Sequence, residues 1–180
     1  GIHMDGFCDV VDALSSYRTK EKRLEILKDP HAGAFAMMWL CVYMILGAGL
    51  LAQVQTTWGI FLCGTGFVLS RALACFLAMT LKSANRDGTL YAFTFAQQKD
   101  AVSAVLTVYL ILGALTICML NLSAGLMVTG LSFFLTVWFV RMVDRQFGGM
   151  TGDMAGFYIQ IYEIMVFAVV VFGEYLTIII

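Results

Sequence analysis

The stretch GAFAMMWLCVYMILGAGLLAQV, Gly33 to Val54, runs for twenty-two residues without a charge. At about 1.5 Å of rise per residue it crosses hydrocarbon about 30 Å thick as a helix, the form that satisfies its own backbone polar groups where water is absent. Only Gln55-Thr56-Thr57 separates it from a second apolar run, Trp58 to Leu81, and three more follow: Ala101 to Leu120, Ala124 to Val140 and Phe157 to Ile180. A soluble fold buries one large core and cannot hide five separate segments of this length. Composition agrees: 61% of the 180 residues are hydrophobic and 13% charged, against about 25% charged in soluble domains. The sequence predicts an all-α, polytopic transmembrane helical bundle. It forms one membrane domain over 1–180, with about five spans (33–54, 58–81, 101–120, 124–140, 157–180) after a short amphipathic and Asp-rich helical region in 1–32.

The connections alternate. Gln55-Thr56-Thr57 and Asn121-Leu122-Ser123 are tight and uncharged, whereas 1–32, 82–100 and 141–156 are long and polar. Ten of the eleven Lys and Arg residues and ten of the twelve Asp and Glu residues fall in those three polar regions. Five spans put the three regions on one side, and the positive-inside bias makes that side the cytoplasm. The expected location is the inner cell membrane, multi-pass, with site-bearing loops cytoplasmic and the C-terminus outside. A net charge of −1 gives no bulk field for nucleic acid. The five cysteines lack paired or CxxC spacing and read as reduced fillers. The first residues lack the pattern of a signal peptide, and the missing initiator Met points to a cut N-terminus.

The polar regions carry the candidate chemistry. In His3-Met4-Asp5-Gly6-Phe7-Cys8-Asp9-Val10-Val11-Asp12 the carboxylates of Asp5, Asp9 and Asp12 stand at i, i+4 and i+7, one face of a helix. Hard oxygen ligands in that array suit Mg²⁺; the plainer reading is a solvated acidic helix end favoured by the helix dipole. Thr19 to Lys28 reads as a short amphipathic helix stopped at Asp29-Pro30, its basic face near headgroups. Phe147-Gly148-Gly149-Met150-Thr151-Gly152-Asp153-Met154-Ala155-Gly156 reads either as a flexible loop with an N-cap at Asp153 or as an anion cradle in which Thr151 and the next helix N-terminus offer donors. Lys82 to Gly88, with Arg86, either pairs with phosphates or decorates the cytoplasmic side.

Arg71, Glu163 and Glu174 lie within apolar segments, where each is costly unless paired or facing a cavity. Glu163 falls about ten residues into a helix starting at Asp153, and Arg71 lies at a matching depth, so the two form an ion pair or contact substrate. Glu174 reaches the far interface. Gly47-Ala48-Gly49 and Gly64-Thr65-Gly66 follow no strand and read as close helix packing.

Three ordered motifs, HMDGFCDVVDA, KRLEILKDPHAGAF and GGMTGDMAGFYIQIYE, resemble those of the cobalamin synthase family, adenosylcobinamide-GDP ribazoletransferase. The resemblance implies Mg²⁺-dependent transfer of α-ribazole, or its 5′-phosphate, onto adenosylcobinamide-GDP with release of GMP. Carried onto this chain, its motif positions are Asp5, Gly6, Asp9 and Asp12; then Arg23, Glu25, Lys28, Asp29 and Gly33; then Gly148, Gly149, Thr151, Gly152, Asp153, Gly156 and Glu163. On this reading Asp5 and Asp9 bind Mg²⁺, Asp12 or Asp153 holds a second metal or takes a proton, and Arg23, Lys28 and Arg86 clamp phosphates. Ala13, Pro30 and Gln160 depart from the family pattern, where Gly, Ser and an acidic residue are usual. Members also begin with a further hydrophobic region, so the chain reads as a fragment or a shortened relative. The bilayer is the expected surrounding, an oligomer is compatible, and the alternatives are a CDP-alcohol phosphotransferase or a cation transporter. Against the first, no Ala-Arg follows Asp5-Gly6; against the second, no inverted repeat is visible.

Overall fold

The computed structural model describes residues 1–84 and 99–179. Seven helices account for nearly all of these: α1 Ile2–Ser15, α2 Lys20–Ile26, α3 Ala34–Gln53, α4 Thr57–Thr80, α5 Lys99–Leu120, α6 Leu122–Gln146 and α7 Gly152–Ile179. There is no strand among the described residues, only an isolated bridge between Ser83 and Met150. Helices α3 to α7 are each long and apolar enough to cross a membrane.

The bundle is built around α7. Among the described residues the heaviest packing is α1 on α7, followed by α4 on α7, and α3 and α6 also touch it. Against α6, buried Tyr158 and Tyr162 reach Thr136 and Ser132 through hydroxyl hydrogen bonds of 2.7 and 3.0 Å, and Tyr158 meets the Phe139 ring edge-on at 4.9 Å. Interhelical hydrogen bonds of this kind contribute about 0.6 kcal/mol each in membranes. The interlocking of large buried side chains therefore carries more of this interface than its hydroxyls. Against α4 the packing uses small residues: a Cβ on Gly66 would meet Val166 Cγ1 at 2.8 Å. The outer faces of α3 and α5 stay apolar and exposed, with Met38, Ile45, Val105, Tyr109 and Met119 turned outward. Such faces suit a lipid environment.

The two ends of the bundle are tied differently. At one end the α3–α4 turn is held by the carboxylate of Glu174, which accepts the Gln55 N–H at 2.9 Å, the Thr56 N–H at 3.0 Å and the Thr56 hydroxyl at 2.5 Å. It satisfies backbone donors beside the start of α4 that hydrocarbon would leave orphaned. At the other end lie 1–33, 82–84 and 144–153. The Met150 N–H bonds to the Lys82 carbonyl at 2.8 Å and the Ala84 N–H to the Met150 carbonyl at 3.0 Å. Helix α6 ends at Gln146 and the chain turns at Gly148, whose φ of +75° favours glycine and whose N–H bonds back to the Val143 and Asp144 carbonyls.

Two helices run beyond the apolar spans read from sequence. Helix α6 continues past Val140 to Gln146, and α7 starts at Gly152, beside the Asp153 start expected for its helix and five residues before the apolar span that begins at Phe157. In both cases a span of hydrocarbon length extends as a polar helix beyond its apolar part, which hydropathy does not register.

Candidate active site

Helix α1 lies antiparallel across the beginning of α7, and the contact is made backbone to backbone. A Cβ added at Gly6 would sit 2.6 Å from the Asp153 carbonyl oxygen and 2.7 Å from its Cα. One added at Gly156 would sit 2.8 Å from the His3 carbonyl oxygen. Helices come this close only where the touching positions lack side chains. Asp5 precedes Gly6 and Asp9 lies one turn from Asp5, so the crossing carries both carboxylates to the first turn of α7, where Asp153 stands.

The electrostatics bear out that proximity. The Asp9 carboxyl is pushed up to about 6, by partial burial first and then by the negative charges of Asp5, Asp153 and Asp12. Among the described residues no ion pair neutralises Asp5, Asp9 or Asp153. The neighbouring Cys8 thiol is also raised, chiefly by burial, and so is not an activated nucleophile.

Asp12 has another occupation. Its Oδ2 accepts the Gly33 N–H at 2.5 Å and its Oδ1 the Ala36 N–H at 2.9 Å, so it caps α3 from a different helix. Among the described residues no group of three or more His, Cys, Asp or Glu side chains converges into a ready metal cage. The face shared by Asp5, Asp9 and Asp12 does not make one, because the α3 N-terminus claims the third carboxylate.

The start of α7 also differs from its expected form. Thr151 takes the capping position, its hydroxyl facing the Met154 N–H at 3.5 Å and the Asp153 carboxylate at 3.3 Å. Asp153 is therefore inside the first turn rather than the cap.

A basic rim borders this end. Lys20 Nζ donates to the Asp144 carbonyl at 2.9 Å, and Arg23 Nη1 to the Gln146 carbonyl at 3.4 Å and to the Gln146 side-chain oxygen. Both cations thus dock α2 on the C-terminus of α6, where the helix dipole favours positive charge. Arg23 Nε is buried and has no hydrogen-bond partner among the described residues, which leaves a donor for an anion. Lys28 is exposed. Asp29 is exposed too and held below the usual carboxylate range by the His31 backbone N–H and ring. Arg86 lies outside the described residues.

Deeper in the bundle, about 15 Å along α7 from Asp153, the structure pairs Glu163 with Arg71. The Glu163 side chain is 7% exposed and that of Arg71 43%. Arg71 Nη1 also serves Ser70 Oγ at 2.9 Å and the Phe67 carbonyl at 3.0 Å. His3, on α1, is within electrostatic reach of both members of the pair. Lys20 and Ser70 were not singled out from sequence. Their signals were a cation three residues before Arg23 on the same helix, and a hydroxyl beside an intramembrane Arg.

These features together define a polytopic membrane protein whose polar end gathers unneutralised carboxylates beside a helix N-terminus and a basic rim. The family follows from comparison. The chain belongs to the cobalamin-5-phosphate synthase family, whose model matches residues 1–171. It is similar to the adenosylcobinamide-GDP ribazoletransferase of Lachnoclostridium phytofermentans, 39% identical over 176 residues, covering 97% of this chain and 66% of that one. The ribazoletransferase of Geobacillus kaustophilus is 31% identical over 173 residues, covering 94% and 66%. The chain spans about two thirds of the length of the curated relatives it matches. No solved structure matches it.

Proposed function

We propose that the chain carries the site for joining α-ribazole, or its 5′-phosphate, to adenosylcobinamide-GDP with release of GMP, late in adenosylcobalamin synthesis. The observation that carries this reading is the Gly6–Asp153 crossing, which brings carboxylates from α1 and α7 together, with no ion pair to neutralise them among the described residues. The family match supports the same reaction over a CDP-alcohol phosphotransferase or a cation transporter.

The donor set suits Mg²⁺, a hard cation that takes one or two protein carboxylates and completes its shell with water and phosphate oxygens. A full protein cage is not needed. Asp5 and Asp9 would hold the ion, which when bound would neutralise diphosphate charge and polarise its P–O bonds. Asp153, across the crossing, takes the proton of the attacking hydroxyl as its oxygen bonds to phosphorus and the bond to GMP breaks. Arg23, through its unpartnered Nε, and Lys28 draw in phosphate oxygens, as does Arg86, while Thr151 orients Asp153. Asp12 acts at one remove by fixing α1 to α3. On the positive-inside argument this end faces the cytoplasm and the membrane is the cell membrane.

The test is turnover in reconstituted membranes supplied with Mg²⁺, adenosylcobinamide-GDP and α-ribazole, followed by GMP release and the completed corrinoid. Asp5→Asn and Asp153→Asn should each lower kcat at least a hundredfold, and Asp5→Asn should also raise the Mg²⁺ requirement. Unchanged turnover and Mg²⁺ dependence in Asp5→Asn would sink the assignment.

A further inference from the structure

Arg23 is a partly buried cation that no ion pair reaches among the described residues, and Glu25, two residues further along the same helix, pairs with Lys22 at 2.6 Å instead. A charge drawn out of water is costly unless something compensates it. What holds Arg23 is one neutral residue. Its Nη1 donates to the Gln146 backbone carbonyl at 3.4 Å and to the side-chain oxygen of the same residue. Arginine has only donors, so the carboxamide turns its oxygen to the guanidinium. The Nε of Arg23 is buried and has no partner among the described residues.

Lys20, one turn earlier on α2, is held in the same way, by the Asp144 carbonyl at 2.9 Å. Both cations are therefore fixed by acceptors that leave their charge intact. Gln146 is also the last residue of α6 and the stem of the stretch that leads to Thr151 and Asp153. That stretch has no slack near the stem: the chain turns at Gly148, and a Cβ on Gly149 would lie 2.6 Å from the Ala84 backbone nitrogen.

We propose that Gln146 is a positioning residue, which fixes the Arg23 guanidinium through a neutral acceptor so that its positive charge is kept for a phosphate oxygen of the substrate. A carboxylate at 146 would hold the guanidinium equally well and cancel its charge. An apolar side chain would keep the charge and lose the aim, because the planar guanidinium binds phosphate only in a set orientation. The carboxamide does both tasks. This deepens the reading of the polar end as the substrate site and rests on it.

The test is equilibrium binding of adenosylcobinamide-GDP to the reconstituted chain without Mg²⁺, where no turnover intervenes, beside KM, kcat and Tm. Gln146→Glu should weaken binding and raise KM about tenfold, with kcat within about twofold and Tm equal to or above that of the parent. Gln146→Met should weaken binding by a similar factor, and in an Arg23→Met background it should change nothing further, since it acts through the guanidinium. Parental affinity and KM in Gln146→Glu overturn the proposal, because a neutralised cation would then serve as well. A further loss in the Arg23→Met background overturns it too, as does failure of both single variants to fold, which would make the contact a support of the bundle alone. A parent that binds the substrate no more tightly than Arg23→Met overturns this proposal and leaves the substrate reading standing; a parent that does not bind it at all overturns both.

Discussion

Gly6 of α1 rests against the backbone of Asp153 in α7, close enough that a single methyl group on Gly6 would lie 2.6 Å from the Asp153 carbonyl oxygen. The first expectation concerns that methyl. Gly6→Ala must push α1 off α7 or tilt it, at a cost of about 1–3 kcal/mol. Tm should fall, and turnover should fall further than the folded fraction does, because Asp5 and Asp9 move with the helix. Gly156→Ala, at the other contact point, should do the same. Melts and turnover on reconstituted protein check both, and a variant with parental Tm and kcat would show that the crossing is looser than described.

A second expectation follows from Asp9. Burial and the neighbouring carboxylates push its carboxyl up to about 6 in the folded chain, from an ordinary 3.8. A raised carboxyl binds more protons folded than unfolded between those values, so stability is lost as pH rises from about 4 to about 6. Solvent screening at a partly exposed site keeps the effect below the about 1.4 kcal/mol per pH unit limit. Asp9→Asn should therefore melt above the parent at pH 7.5, and the gap should close near pH 4. Millimolar Mg²⁺ should raise the parent's Tm at pH 7.5 and leave that of Asp9→Asn nearly unmoved. A gap independent of pH would contradict this.

Asp12 and Glu174 cap helices at opposite ends of the bundle and give a paired comparison. Asp12→Ala should cost about 1–2 kcal/mol from lost capping and lower kcat, while Asp12→Ser, which keeps one acceptor, should recover part of each. Glu174→Ala should cost a similar amount, leaving kcat of the folded protein within about twofold. Loss of turnover in Glu174→Ala at full folding would mean that the far end communicates with the site.

The Arg71–Glu163 pair predicts a coupled result. Removing either partner alone leaves a charge stranded in the bundle, at a cost on the order of 3 kcal/mol, whereas removing both is far milder. Arg71→Met with Glu163→Leu should thus be more stable than either single variant. Additive losses would show that the two side chains act separately.

Much of the fold was readable in the residues because hydrocarbon imposes one strong rule. The runs 33–54 and 58–81 became Ala34–Gln53 and Thr57–Thr80, since length and apolarity fix a spanning helix without reference to its neighbours. The i, i+4 spacing of Asp5 and Asp9 likewise carried into α1. What stayed hidden was everything decided by a second helix. Nothing local distinguishes Asp12 from Asp9, and only the arrival of the α3 N-terminus makes one a cap. Gly6 and Gly156 could be named as motif positions, yet their function as matched gaps emerges only when 6 and 153, and 156 and 3, touch.

The Gly6–Asp153 contact also bears on biogenesis. Helix α1 is made before the five spans, but the surface it was shaped to meet belongs to the last of them. While α3 to α6 are being inserted, Phe7, Val10 and Ala13 have no α7 to cover them, and the two acidic halves are held apart by the nascent chain. Catalytic competence should therefore appear in one step, only once α7 has entered the bilayer, and truncated translation products should be inert toward phosphorylated substrates.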